Sequence, residues 1–258
     1  MKPKVVVYVF PGTNSEHETK RALEASGVDV TLVRSDDKTD VAKKADGYVL
    51  PGGFAHEDRI RAGAVAAHDR AMDVVIEAAE KGKPVLGICN GAQVLLESGL
   101  VPGTSKIRRP SAAFAPNIPG GRFRSVHVHM RLVIPPSRSA LLAALPNEAV
   151  IPAWVSHGEG RLAASFEELA HIELDHLAFV YSDANGDVTP DATPNGSALG
   201  AAGLINKAGN VLAIMPHPER DAWAFMHRYD LVHAKTAEEA LRPSGGIELI
   251  RSFAKAFA

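Results

Sequence analysis

A single thiol stands in the chain, Cys89, at the centre of Gly87-Ile88-Cys89-Asn90-Gly91. A lone cysteine is ordinarily a small buried apolar side chain, but the glycines two places before and two places after it change that reading. G-x-C-x-G at the end of an apolar run, opening a helix, is the pattern of a nucleophile elbow, a strained strand-to-helix turn that presents its central side chain at the carboxyl end of a sheet. A Cβ at either glycine would collide with the turned chain. The first amides of the following helix point at the sulfur and favour thiolate over thiol. A thiol nucleophile needs a base, and the base needs an orienting group. His217-Pro218-Glu219 supplies both, directly after the apolar run 211–215, and Pro218 holds the backbone extended so that histidine and carboxylate can serve one site. Acyl transfer also requires donors for an oxyanion. Pro51-Gly52-Gly53-Phe54 ends another apolar run, where main-chain amides can approach a substrate and act together with the N–H of Asn90.

Other candidates carry less. His127 and His129 alternate along one strand face, but no cysteine or carboxylate stands at ligand spacing, so no metal site is expected. The arginine-rich stretch from Arg108-Arg109 to Arg122 and Arg124 reads as a solvated surface or a docking face rather than a nucleic-acid site. No G-x-x-x-x-G-K-[ST] occurs, which argues against ATP binding through a P-loop.

The elements that must position these residues alternate in the first hundred positions, as successive βα units of a parallel sheet do. Strands are expected over 5–10, 28–33, 47–50 and 84–88. A helix capped by Asn14 or Ser15 should run to Ala25 and stop at Gly27, another should span 64–81, and a third 92–98. Apolar residues on both strand faces imply helices on both sides. From about 103 to 150 the pattern is irregular and hairpin-like, with a long strand over 123–134. Further strands are expected over 176–181, 198–205 and 211–215, with turns at Asn185-Gly186 and 208–210. Pro243-Ser244-Gly245-Gly246 opens a final helix over 247–257.

With 258 residues, 46% of them apolar and 22% charged, the composition is that of a globular α/β chain with one core. A formal net charge of −2 gives no general reason to expect nucleic acid or an anionic membrane as partner. One cysteine excludes an internal disulfide, and the amino-terminal apolar run is too short to span a bilayer. A cytoplasmic, single-domain protein is expected, with a core over about 4–221 and an extension over 222–258.

Gly52-Gly53-Phe54, Gly87-Ile88-Cys89-Asn90-Gly91-Ala92-Gln93, Ser156-His157-Gly158-Glu159-Gly160-Arg161, Asn195-Gly196-Ser197 and Met215-Pro216-His217-Pro218-Glu219-Arg220 occur in an order that resembles class I glutamine amidotransferases. Within that family the chain looks most like the glutaminase subunits of phosphoribosylformylglycinamidine synthases. The resemblance implies a flavodoxin-like fold with a mostly parallel central sheet and an antiparallel excursion. It implies a Cys89–His217–Glu219 triad that hydrolyses glutamine through a thioester, an oxyanion hole from the amides of Gly53 and Asn90, and glutamine held by Gln93 and Ser156-His157-Gly158. No cofactor is expected on this chain. ATP and magnesium belong by resemblance to a large synthetase subunit that receives the ammonia, often accompanied by a small third subunit. A glutaminase serving another synthetase, a Cys-His hydrolase of related fold and a silent regulatory subunit are the competing readings. His56-Glu57-Asp58-Arg59 departs from the stretch that usually follows Gly-Gly-Phe in the family.

Overall fold

The computed structural model describes residues 1–37, 40–104, 109–226 and 233–257. Eleven strands are present among them: β1 Lys4–Val9, β2 Asp29–Arg34, β3 Gly47–Leu50, β4 Val85–Ile88, β5 Ala112–Pro116, β6 Arg124–Leu132, β7 Val150–His157, β8 Glu159–Ala164, β9 Leu177–Ser182, β10 Ala201–Ile205 and β11 Val211–Ile214. The helices are α1 Glu16–Ala25, α2 Arg70–Glu80, α3 Asn90–Glu97, α4 Phe166–His171, α5 Ala237–Ala240 and α6 Ile247–Lys255.

Nine strands form one sheet in the order β2-β1-β3-β4-β11-β10-β9-β6-β7, and β5 pairs with β8 in a separate ribbon. The first five are mutually parallel, in the 2-1-3-4-5 order of flavodoxin-like folds, with β11 as the fifth. The remaining four are antiparallel and continue the same sheet, so the expected excursion is an extension of it. Because β1 leads to β2 in one direction and β3 to β4 in the other, right-handed crossovers put α1 and α2 on opposite faces. The carboxyl-terminal α6 packs beside α1. The β-branched and leucine-rich runs fill the interior: Leu50, Leu86, Ile88, Leu95 and Ile214 are fully buried, each contributing about 1.5–3 kcal/mol of transfer free energy.

The differences from expectation have local causes. The helix expected over 64–81 starts only at Arg70, because Asp69 is extended and its carboxylate caps the N–H of Ala71 at 2.9 Å, while 66–68 form a separate 3-10 turn. The helix expected from 92 starts at Asn90, since Cys89 itself occupies the N-cap position. The strand expected from 198 starts at Ala201, after a turn in which Leu199 has φ +59°. Strands β5, β7 and β8 lie where the sequence shows little alternation. Ser15 stands at the N-cap of α1 but makes no capping bond with its side chain. Of the arginine-rich stretch, Arg108 lies outside the described residues, Arg109 and Arg122 are exposed, and Arg124 opens β6 opposite His157. Residues 227–232 and 258 of the expected extension also lie outside the described residues. Among the described residues, no helix is long and apolar enough to cross a membrane.

Candidate active site

Strands β3, β4 and β11 lie side by side and all end toward one edge of the sheet, and each delivers part of the site. At the end of β4 the chain turns through Cys89, whose φ of +51° and ψ of −107° are a strained combination for a residue with a Cβ. The flanking glycines make that turn possible. A Cβ on Gly91 would lie 1.9 Å from the carbonyl oxygen of Leu50, and one on Gly87 would lie 2.7 Å from that of Gly91. The start of α3 is thus pressed against β3, and the thiol is almost fully buried, with Sγ 3.8 Å from the carbonyl oxygen of Ser156 on β7.

His217 follows β11 and is locked to β7 by two main-chain bonds, its N–H donating to Trp154 O at 2.7 Å and its carbonyl accepting from Trp154 N–H at 3.2 Å. Its Nδ1 lies 2.5 Å from Glu219 Oε1, and both side chains are buried. With Nδ1 engaged by the carboxylate, Nε2 is left for the sulfur. Burial alone pulls the imidazole down. The charge of Glu219, the neighbouring sulfur and the hydrogen bonds to both outweigh it and hold His217 at about 9. Gly52 leaves room for this ring, since a Cβ there would sit 2.4 Å from His217 Cε1.

Gly53 forms a bridge with Thr13 that closes through Phe54 N–H to Gly12 O and Asn14 N–H to Gly52 O. That pattern turns the N–H of Gly53 away from its bridge partner. The N–H of Asn90 opens α3 and so has no carbonyl one turn earlier. Both expected oxyanion donors are therefore outside the backbone ladders.

Gln93 is committed within the protein: Oε1 accepts from Asn90 Nδ2 at 2.9 Å, and Nε2 donates to Glu159 O at 2.5 Å. It fixes the 156–160 segment over the start of α3. His157 is buried, with neither ring nitrogen hydrogen-bonded, and burial followed by the charge of His217 pulls it down to about 3, so it is neutral at any working pH. Gly158 is carried on Asn117, whose N–H donates to Gly158 O at 2.9 Å and whose side chain spans His157 O and Gly160 N–H. Asn195 also braces this segment, donating to Gly160 O at 2.8 Å.

Several residues at the site escape sequence reasoning. Arg220 donates to Ser15 Oγ at 2.7 Å and to Glu18 Oε1 at 3.2 Å, which explains why Ser15 does not cap its own helix. The only local signal for Arg220 is its place directly after His-Pro-Glu. Asn117 carries none. Asp58 accepts from Asn90 Nδ2 at 3.0 Å in a loop where His56, Glu57, Asp58 and Ile60 all have positive φ. Burial and then the charge of Glu159 push its carboxyl up to about 6, against the Asn90 bond. The folded chain thus holds this proton more tightly than the unfolded chain, so ionisation costs stability above pH 6, and the cost fades as pH falls toward the ordinary carboxylate value. Asp58→Asn, which still accepts from Asn90, should raise Tm at pH 8 by about 2–4 °C after allowing for its partial exposure, with a smaller gain near pH 4. Thermal melts of both proteins at the two pH values test this, and an equal gain at both would refute the electrostatic cause.

A family model described as a CobB/CobQ-like glutamine amidotransferase domain matches residues 2–248. The chain belongs to the class I glutamine amidotransferases. Relatives of this amidotransferase include the phosphoribosylformylglycinamidine synthase subunit PurQ of Pyrococcus furiosus, 40% identical over 88% of this chain and 93% of that one. The subunit of the same name from Haloquadratum walsbyi is 41% identical over 84% and 90%. Among solved structures, that of PurLQS from Thermotoga maritima superposes with a TM-score of 0.73 at 30% identity, covering 98% of both chains. The glutaminase domain of Trypanosoma brucei CTPS, 14% identical with a TM-score of 0.55 and covering 99% and 94%, shares the fold.

Proposed function

We propose that the chain is the glutaminase subunit of a phosphoribosylformylglycinamidine synthase, releasing ammonia from glutamine for a large synthetase subunit of the PurL kind, with a small PurS-type third subunit. The observation that supports this most is a cysteine elbow paired with a buried His–Glu couple, in a chain that aligns with PurQ subunits along most of its length.

In this reading Cys89 Sγ attacks the side-chain carbonyl carbon of glutamine. The oxyanion that forms is held by the amides of Gly53 and Asn90. His217 gives its Nε2 proton to the departing nitrogen, so that ammonia leaves and a γ-glutamyl thioester remains on Cys89. Water then attacks the thioester, His217 takes its proton, and glutamate departs with the thiolate restored. Glu219 keeps the imidazole oriented and stabilises its charged form. Ser156-His157-Gly158 meet the amino-acid end of glutamine, with Gln93 acting through the position of that segment. This chain needs no cofactor for the sequence of steps. ATP and magnesium act on the synthetase, and the assembly works in the cytoplasm.

Because the proton for ammonia departs from His217 as pH rises through about 9, kcat should fall on the alkaline side of that value. Glu219→Gln removes the main influence raising it, and should lower kcat by about 10²–10⁴-fold while moving the alkaline limb down by about a unit or more. A pH–rate profile that keeps its limb in the variant would contradict this role for Glu219. The function itself is tested by ammonia release from glutamine, with and without the synthetase and small subunits. Wild-type chain that makes no ammonia even in the full complex would refute it.

A further inference from the structure

The extension that follows the catalytic turn folds back onto it. Residues 218–221 form the short 3-10 turn that carries Glu219, and this turn ends at Asp221, which is completely buried. The Asp221 carboxylate joins three parts of the chain. Oδ2 lies 2.7 Å from His127 Nε2 on β6, and Oδ1 accepts from Ser244 Oγ at 2.9 Å in the extension. Its main-chain carbonyl accepts from Gly246 N–H at 3.1 Å, and Ser244 N–H donates to Ala222 O at 3.0 Å. Gly246 is pressed so closely onto the turn that a Cβ there would lie 2.4 Å from Pro218 O and 2.6 Å from Asp221 O. His127 also packs edge-on against the ring of Trp154, at 5.3 Å between centroids, and Trp154 is the residue whose backbone holds His217. Both ends of the His217–Glu219 couple are therefore anchored, the first through β7 and the second through Asp221.

We propose that Asp221 is a positioning residue, and that with His127 and Ser244 it makes the carboxyl-terminal extension a clamp holding Glu219 and His217 in register with Cys89. The inference rests on the glutaminase reading. The physical need is plain: a His–carboxylate couple is useful only while the imidazole stays within hydrogen-bond reach of the sulfur, and displacements near 1 Å cost about 10²-fold in rate. A 3-10 turn of four residues has few bonds of its own to prevent such a displacement. A buried carboxylate with donors on two other elements supplies the missing restraint, because moving the turn would leave a buried charge without its partners.

The test uses the assembled complex and the variants Asp221→Ala, Asp221→Asn and Ser244→Ala, with two readouts: glutamine-dependent kcat and KM, and the rate at which iodoacetamide alkylates Cys89, the only thiol in this chain. Asp221→Ala should lower kcat by about 10–100-fold with KM changed less than about twofold, and should slow alkylation in parallel. Asp221→Asn keeps one acceptor oxygen and turns the other position into an NH2 that can donate to Ser244 Oγ or to unprotonated His127 Nε2, so it should recover part of that loss. Ser244→Ala should lower kcat by about threefold to fivefold. A folded Asp221→Ala with wild-type kcat and alkylation rate, or a loss confined to KM, overturns the proposal. If Asp221→Ala does not fold, Ser244→Ala decides: unchanged kcat and alkylation overturn it. Wild-type complex without glutaminase activity would refute the function instead, while the alkylation rates would still report on the clamp.

Discussion

Replacing Cys89 with alanine is expected to reduce glutamine-dependent turnover of the complex by at least about 10⁴-fold, while leaving synthesis from free ammonia intact. The asymmetry follows from the division of labour. The thiol is the nucleophile at the elbow, and alanine has no group there to form an acyl intermediate. In the proposed reaction the synthetase step starts from ammonia and does not involve Cys89. Alanine also fits the strained turn no worse than cysteine, since both carry a Cβ at φ +51°, so the folded chain should survive and still assemble. Assaying product formation with glutamine and, separately, with ammonium at pH 8 checks both halves. Retained glutamine-dependent turnover would show that Cys89 is not the nucleophile. Loss of both activities would point to failed assembly.

The second large effect is expected at Gly52, which no chemical role would single out. A methyl group there would meet His217 Cε1 at 2.4 Å and Ser15 Oγ at 3.2 Å. Neither neighbour can yield easily. His217 is held by Glu219 and by its paired bonds to Trp154, and Ser15 is held by Arg220. Something must move, and the ring is the nearest. Gly52→Ala should therefore lower kcat by about 10²–10³-fold with only a modest rise in KM, and Cys89 alkylation should slow with it. Wild-type kinetics in a folded Gly52→Ala would mean that the ring has slack which the packing does not show.

What the sequence discloses about this site is local. The elbow at 87–91 is legible because strain, glycine spacing and a following helix are all encoded within five residues. His217 and Glu219 are legible for the same reason, two residues apart after an apolar run. The parallel half of the sheet is equally readable, since β1, β3 and β4 are continuous apolar runs bounded by turns. The hidden part depends on contacts between distant positions. Asp221 and His127 meet across 94 residues, and Arg220 reaches Ser15 across 205. Spacing along the chain carries no trace of either. Ser15 is read as a helix cap because its local pattern fits one, and tertiary demand redirects its hydroxyl. Gln93 is expected at the substrate, and its bonds to Asn90 and to the backbone of Glu159 are not visible in the sequence. The antiparallel half of the sheet is harder for a related reason: β7 contains Pro152 and a mixture of polar and aromatic residues, and is a strand because β6 pairs with it along eight positions.

In the proposed reaction glutamine is cleaved through a covalent adduct on Cys89. This step is tested most directly by mixing the complex with isotopically labelled glutamine, quenching in acid during turnover, and examining the Cys89 peptide by mass spectrometry. A γ-glutamyl thioester should appear on Cys89, formed fast enough to precede the release of glutamate and absent from Cys89→Ala. Rapid ammonia release with no label on Cys89 at any quench time, or undiminished release by Cys89→Ala, would contradict this step.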